Sequence, residues 1–252
     1  MKNYTVILAA LVVGLVIELG RDHAVISVND DDASVHLMPD FTEFVVVEER
    51  KQAFTDFILP IIQQHNEQLL EQRQWLQALE LDRLSADELS YWRAIAEHYH
   101  EPMPLYDNLA NWRQAMLVKL DTIPVSLALS QAAKESGWGQ SRFAQQGNNL
   151  FGQWCFTEGC GLVPLARPSG QSHEVRVFDS PDEAVAAYMH NLNTSHFYNE
   201  FRQHRAEMRQ IQNTLDGYLL AQGLGAYSIR GSAYIADIQS LIQFNGWLAY
   251  DQ

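Results

Sequence analysis

Positive charge is scarce in this chain. Across 252 residues, 17 lysines and arginines stand against 31 aspartates and glutamates, a formal net charge of −14. Phosphate contacts need a basic surface, so nucleic acid is not an expected partner. Cysteine is scarcer still, and two of them rule out a small disulfide-scaffold protein and any four-thiolate zinc site. The 9 histidines form no HExxH motif, and His98 and His100 read as a surface turn. No metal or cofactor is therefore implied. Repeats and low-complexity tracts are lacking too. What is plentiful is apolar surface: 47% hydrophobic and 11% aromatic residues support a packed core and exclude wholesale disorder. At roughly 100–200 residues per domain, the length fits one large domain or two small ones.

One long apolar run occurs, Tyr4 to Ile17, behind Met1-Lys2-Asn3 and ahead of Glu18 and Arg21. A single positive charge and an apolar stretch shorter than the usual span of about 20 residues suit a signal-peptide core. No A-x-A cleavage site follows. Residues 1–20 are expected to be a signal peptide or a retained membrane anchor, a buried N-terminal helix or strand being the alternative. The bulk of the chain is then expected in an oxidising space outside the inner membrane. Residues 21–45 are polar without a sustained period and read as a linker.

Helical periodicity begins after Phe41. Phe54, Phe57, Ile58, Ile61, Ile62, His65, Leu69, Trp75, Leu76 and Leu79 recur at three- and four-residue steps, which predicts a long helix bent or offset at Pro60. Ser85-Ala86-Asp87-Glu88 is a capping box opening a helix towards Tyr99. Leu109 to Leu120 reads as another helix. Ser180-Pro181-Asp182-Glu183 is a further capped start, with Ala184, Tyr188, Met189 and Leu192 as its apolar stripe. Helices are also expected over Phe197 to Met208, over Leu215 to Leu220 and at the end of the chain.

The most informative helix is Val125 to Ser136, opened by Pro124 and stopped by Gly137 and Gly139. Ala128, Gln131, Ala132 and Glu135 share one of its faces. Glu135 stands in the last turn, where the negative end of the helix dipole and apolar cover from Trp138 would raise its pKa, as a general acid requires. On spacing alone, a glutamate ending a helix is ordinarily a solvated surface residue. Asn148 to Phe156 and Glu174 to Phe178 are strand-like, so a small β lobe is expected within a helical chain. Cys155 and Cys160 flank what reads as a hairpin tip, and in an exported protein that spacing predicts a disulfide. Tyr227 and Tyr234 fit either a core or a sugar cleft.

Three blocks together carry a resemblance. Gln131-Ala132-Ala133-Lys134-Glu135-Ser136-Gly137-Trp138-Gly139-Gln140-Ser141 resembles the signature of the bacterial β-N-acetylglucosaminidases of glycoside hydrolase family 73. Gly147-Asn148-Asn149-Leu150-Phe151-Gly152 is similar to that family's second block. Tyr227 to Ile238 is similar to its third, with Ile229-Arg230-Gly231-Ser232 in place of T-D-P-x and one residue added. From about Phe54 onward the chain resembles the Bax-type proteins of Gram-negative bacteria within that family, including Trp154-Cys155-Phe156, Asn191-Leu192-Asn193-Thr194 and the Tyr-Ser-x-Arg-Gly stretch.

The resemblance implies a mainly helical α+β, lysozyme-like fold acting on peptidoglycan glycan strands in the periplasm. Residues 121–252 would be the catalytic domain, and 46–120 a helical extension packed on it. Glu135 matches the family's general acid. Glu174 fits the second carboxylate, with Asp179 as the nearby alternative. Tyr234 matches a catalytic cleft tyrosine, and Gln131, Trp138, Asn149, Phe151 and Tyr227 are expected at the substrate. The implied reaction is cleavage of the β-1,4 bond after N-acetylglucosamine, by inversion or with help from the substrate's own N-acetyl group. A non-hydrolytic wall-binding module and a lytic transglycosylase are the competing readings.

Overall fold

The computed structural model describes residues 37–251 apart from Tyr106, Ala166, Pro168, Ser169 and Asn213. The expected signal or anchor, residues 1–20, lies outside the described residues. Among the described residues, no helix is long and apolar enough to cross a membrane.

The chain runs through α1 (Val47–Ala78), α2 (Ala86–His98), α3 (Leu109–Lys119), α4 (Val125–Ser136) and α5 (Arg142–Gly147). A small lobe follows with β1 (Trp154–Cys155), β2 (Gly161–Leu162) and β3 (Glu174–Arg176). Helices then return as α6 (Pro181–Thr194), α7 (Asn199–Ile211), α8 (Gly217–Leu220) and α9 (Ser232–Phe244), with single 3₁₀ turns between and after them. This is the mainly helical α+β class that the sequence led us to expect.

Local chemistry explains most boundaries. At α2 the Ser85 side chain accepts from the Glu88 N–H, and the Glu88 carboxylate accepts from the Ser85 N–H at 2.8 Å, closing the expected capping box. At α6, Ser180 accepts from Glu183 N–H, and Pro181 occupies the first turn, where no intrahelical N–H bond is lost. Helix α1 continues through Pro60 rather than ending there.

Two compact units result: Ala78–Met116, and the described residues up to Gln77 together with those from Leu117 onward. The smaller buries Leu79, Trp92, Ile95, Ala96, Tyr99, Trp112 and Met116, with the Trp92 and Trp112 rings edge to face at 6.5 Å. In the larger unit, Phe54, Ile58, Ile61 and Ile62 of α1 join one core with α4, α6, α8 and α9. Phe41, inside the stretch read as a linker, is fully buried there and meets Phe54 at 5.4 Å.

A buried charge cluster, not foreseen from sequence, also lies in the larger unit. Asp121 pairs with Arg209 at 2.9 Å, Arg73 at 3.5 Å and Arg205 at 3.9 Å. Burial pushes the Asp121 pKa up, but the three guanidiniums outweigh it and hold it low. Arg205 also donates to the carbonyls of Val118 at 3.0 Å and Lys119 at 3.2 Å, which end α3.

The lobe corrects one expectation. Its strand order is β1-β3-β2, both outer strands antiparallel to β3. The Cys155–Cys160 segment is therefore not a hairpin tip between paired neighbours; it crosses over β3 from one edge to the other. The disulfide itself is formed, with Cα atoms 6.2 Å apart. The strand-like reading of Asn148 to Phe156 shrinks to Trp154–Cys155, because residues 149–153 are folded back on the Asn149 side chain.

Candidate active site

Helix α4 is the scaffold. Every one of its residues is buried except Lys134 and Glu135 at its C-terminal end. Its N-terminus lacks a local side-chain cap. The carboxylate of Asp251, from the far end of the chain, accepts from Ser126 N–H at 2.8 Å, Ser126 Oγ at 2.6 Å and the Gly217 N–H of α8 at 2.8 Å. One carboxylate thus holds two helix N-termini. Gly217 is needed at this approach, since a Cβ there would lie 2.2 Å from Ser126 Oγ.

The other end of α4 is shaped by left-handed backbone. Gly137, Trp138 and Gly139 have φ of 60°, 60° and 78°, so the chain turns off abruptly after Ser136. A Cβ on Gly139 would lie 2.2 Å from the Phe41 ring, which fixes this turn against the core. The carboxyl of Glu135 is left half-buried, with its Oε2 3.6 Å from where a Cβ on Gly152 would stand. Gly152, the last residue of the second block, thereby keeps the space beside the carboxyl open.

Four tyrosines surround Glu135. Tyr234 of α9 is buried and donates its hydroxyl to the Glu135 carboxylate. Its oxygen accepts from Gln131 Nε2 at 3.0 Å, and Gln131 Oε1 accepts from the Tyr188 hydroxyl of α6 at 2.6 Å. Tyr227 stacks on Tyr234 with centroids 5.4 Å apart and donates to the Phe151 carbonyl at 2.9 Å. Phe151 stacks in turn on Tyr188 at 3.9 Å. Tyr198 lies 6.0 Å from the Tyr227 ring.

The electrostatics follow from this enclosure. Burial pushes the Glu135 pKa up, against the Tyr234 hydrogen bond and the Lys134 charge, which lower it. Burial, with the nearby Glu135 charge, also raises the tyrosines: Tyr198 to about 12, and Tyr188, Tyr227 and Tyr234 well above the usual phenol value. All four phenols are therefore neutral across the working range. Lys134 is drawn to Asp237 at 2.8 Å, which also takes Arg230 at 2.7 Å. A carboxyl that stays protonated longer than usual, held by a neutral donor at a helix end, is equipped to give a proton to an oxygen above it.

Residues 111–246 match the family model described as Mannosyl-glycoprotein endo-beta-N-acetylglucosaminidase. The chain belongs to this glucosaminidase family. It is of the Bax type: it is 31% identical over 209 residues to Protein bax of Escherichia coli (strain K12), covering 82% of this chain and 74% of that one. No solved structure matches significantly. A glycan-hydrolase type of function follows from the family.

In this chain the residues expected from sequence fall into two groups. Glu135, Gln131, Tyr234, Tyr227 and Phe151 come together, but Gln131, Phe151 and Tyr234 are buried beneath the carboxyl. Trp138, expected as apolar cover for Glu135, packs its ring against Phe54 at 5.9 Å and Trp247 at 5.6 Å. Asn149 is buried, its amide donating to the carbonyls of Gln153 at 2.9 Å and Arg176 at 2.8 Å while its oxygen accepts from the Phe151 and Gln153 N–H groups. These bonds brace the second block and occupy both ends of the amide.

Glu174 is on β3 as expected, with its carboxylate under the disulfide loop. It accepts from Gly159 N–H at 3.1 Å and Gly161 N–H at 2.8 Å. Those donors, with Cys160 N–H and the Arg167 charge, hold its pKa below the usual carboxylate value. Cys155, Cys160 and Glu174 are close enough to ligate a metal, but a disulfide offers no thiolate and does not fit one. Tyr188 and Tyr198 are the site residues that sequence reasoning missed. The only signal was a phenol inside the otherwise apolar stripe of α6, which reads equally well as core.

Proposed function

We propose that this protein is a periplasmic peptidoglycan hydrolase cleaving the β-1,4 bond after N-acetylglucosamine, with Glu135 as general acid. The observation that carries the reading is the state of Glu135: the carboxyl at the end of a buried helix, its pKa raised by burial, held by the hydroxyl of Tyr234. Protonated Glu135 gives its proton to the glycosidic oxygen as the C1–O bond breaks and its electron pair passes to that oxygen. Positive charge then builds at C1.

The second half of the reaction turns on Glu174. Backbone donors that stabilise its ionised form make it a weak base towards water. We therefore assign Glu174 to shaping the disulfide loop, and the attack on C1 to the substrate's own N-acetyl oxygen. Water then opens the oxazolinium at C1 and returns a proton to Glu135, which closes the cycle with retention. Asp179, the alternative carboxylate, has its backbone N–H bound to Glu183 at 2.9 Å. The apolar run at residues 4–17 would direct export, and an oxidising compartment suits the formed disulfide.

Mass analysis of the products from purified peptidoglycan tests the reading. Soluble fragments ending in reducing N-acetylglucosamine, made by the wild type and not by Glu135→Gln, support it. An anhydro-muropeptide product would make the protein a lytic transglycosylase. Binding to sacculi without release of any fragment would make it a wall-binding module.

A further inference from the structure

The hydrogen bonds behind Glu135 form a chain with one direction. An ionised carboxylate only accepts, so Tyr234 must donate to it. The Tyr234 proton is then committed, and its oxygen takes the Gln131 Nε2–H at 3.0 Å. With its NH₂ turned towards Tyr234, Gln131 presents Oε1 to Tyr188, whose hydroxyl donates at 2.6 Å. All three residues are essentially excluded from solvent, so water does not compete for these bonds. Tyr188 is fixed by stacking at 3.9 Å on Phe151, whose carbonyl in turn takes the Tyr227 hydroxyl.

Resting on the general-acid reading of Glu135, we infer that Tyr188, acting through Gln131, is a positioning residue that locks the direction of this chain so that Tyr234 always donates to Glu135. A carboxyl that accepts at one oxygen carries its proton on the other, so the lock also decides which oxygen is the acid. Without the Tyr188 hydroxyl, the Gln131 amide is free to turn over. Its Oε1 then faces Tyr234 and draws the Tyr234 proton away from Glu135. The ionised form of Glu135 loses its donor, and its proton is no longer confined to one oxygen.

The titratable groups facing Glu135 are Lys134 on its own helix, Tyr188 on α6, Tyr198 on the 3₁₀ turn, Tyr227 before α9 and Tyr234 on α9. The phenols stay neutral for the reasons given above. Lys134 is tied to Asp237, so loss of the Tyr234 donor is the change that reaches Glu135.

The test uses the whole chain and purified peptidoglycan, with Tyr188→Phe, Tyr234→Phe and the double variant. Tyr188→Phe keeps the ring and its stacking and removes only the hydroxyl. Carboxyl ¹³C NMR, with Glu135→Gln to assign the resonance, should show Glu135 titrating about half a unit or more higher in Tyr188→Phe. The alkaline limb of the hydrolysis profile should follow it, with a rate loss of about 10-fold or more at matched folded protein. The double variant should titrate like Tyr234→Phe alone, because both act through one chain. Gln131→Met leaves no amide oxygen to compete for the Tyr234 proton, so it should keep Glu135 titrating close to wild type; a rise as large as that of Tyr188→Phe would overturn the lock. An unshifted Glu135 titration in folded Tyr188→Phe, with Glu135→Gln inactive, overturns the lock alone. Wild-type hydrolysis by Glu135→Gln overturns the general-acid reading on which the lock rests.

Discussion

Replacing Asp251 with alanine should destabilise the protein and loosen the helix that carries Glu135, from its opposite end. The carboxylate accepts from two backbone N–H groups and one hydroxyl, at 2.6–2.8 Å. In the variant, Ser126 Oγ finds another acceptor by rotation, but the N–H groups of Ser126 and Gly217 are left at buried helix starts. Each stranded donor costs about 1–3 kcal/mol. Against this stands relief from holding a charge in a desolvated place, since burial raises the Asp251 pKa despite its three donors. The net loss should be about 2–3 kcal/mol, a fall in Tm of about 4–12 °C for a domain of this size. Asp251→Asn should lose less, keeping an acceptor for Ser126. The pH dependence has a definite sign: with a raised folded pKa, Asp251 stabilises most below the unfolded value of 3.8, and this is lost as pH rises through the folded pKa. Asp251→Asn should lack that slope. Scanning calorimetry from acid to neutral pH reads both effects. A Tm for Asp251→Ala within about 1 °C of wild type, with unchanged pH slope, would refute the anchoring argument.

Glu135→Gln should lower hydrolysis by about 10²–10⁴-fold, since the amide has no proton to deliver; equal clearing by mutant and wild type on cell-wall zymograms would end the reading. The same variant should be more stable than wild type at neutral pH and match it near about pH 3, because the stability tied to a raised carboxyl pKa disappears as pH rises through it. Glu174→Gln turns one acceptor into a donor facing an N–H, so hydrogen exchange at Gly159 and Gly161 should speed up together with any loss of activity. Lost activity with unchanged exchange would show the carboxylate acting chemically. Serine at both Cys155 and Cys160 should cost about 1–2 kcal/mol, the modest sum expected of a short closed loop, read by urea titration. Gly139→Ala should cost about 2–4 kcal/mol, since its φ of 78° and the Phe41 ring both oppose a Cβ; an unaltered urea midpoint would contradict the packing described.

Local signals decided what the sequence could reveal. The capping residues Ser85 and Ser180, the proline before α4 and the glycines after it mark helix ends because they act on backbone groups a few residues away. The disulfide was legible for the same reason, its partners being near neighbours in the chain. Glu135 stood out through its place in the first block, and its perturbed state followed from being at the end of a helix that turns out to be buried. The strand order β1-β3-β2 was not legible, because three strands this short carry almost no periodicity and their pairing is set by the loop crossing Glu174. Nor were the working partners of Glu135. Tyr188 is 57 residues from Gln131 and Tyr234 is 103; each reads alone as a core aromatic, and only packing shows that their hydroxyls align. Asp251 caps a helix 125 residues away, and Asp121 gathers arginines from α1 and α7. Such bonds depend on distance in space, which spacing along a chain does not encode. The sequence by itself marked the helix ends, Glu135 as the candidate acid and the family; the tertiary structure decided which groups surround Glu135, how their hydroxyls and amide connect, and that Asn149, Trp138 and Glu174 brace the site.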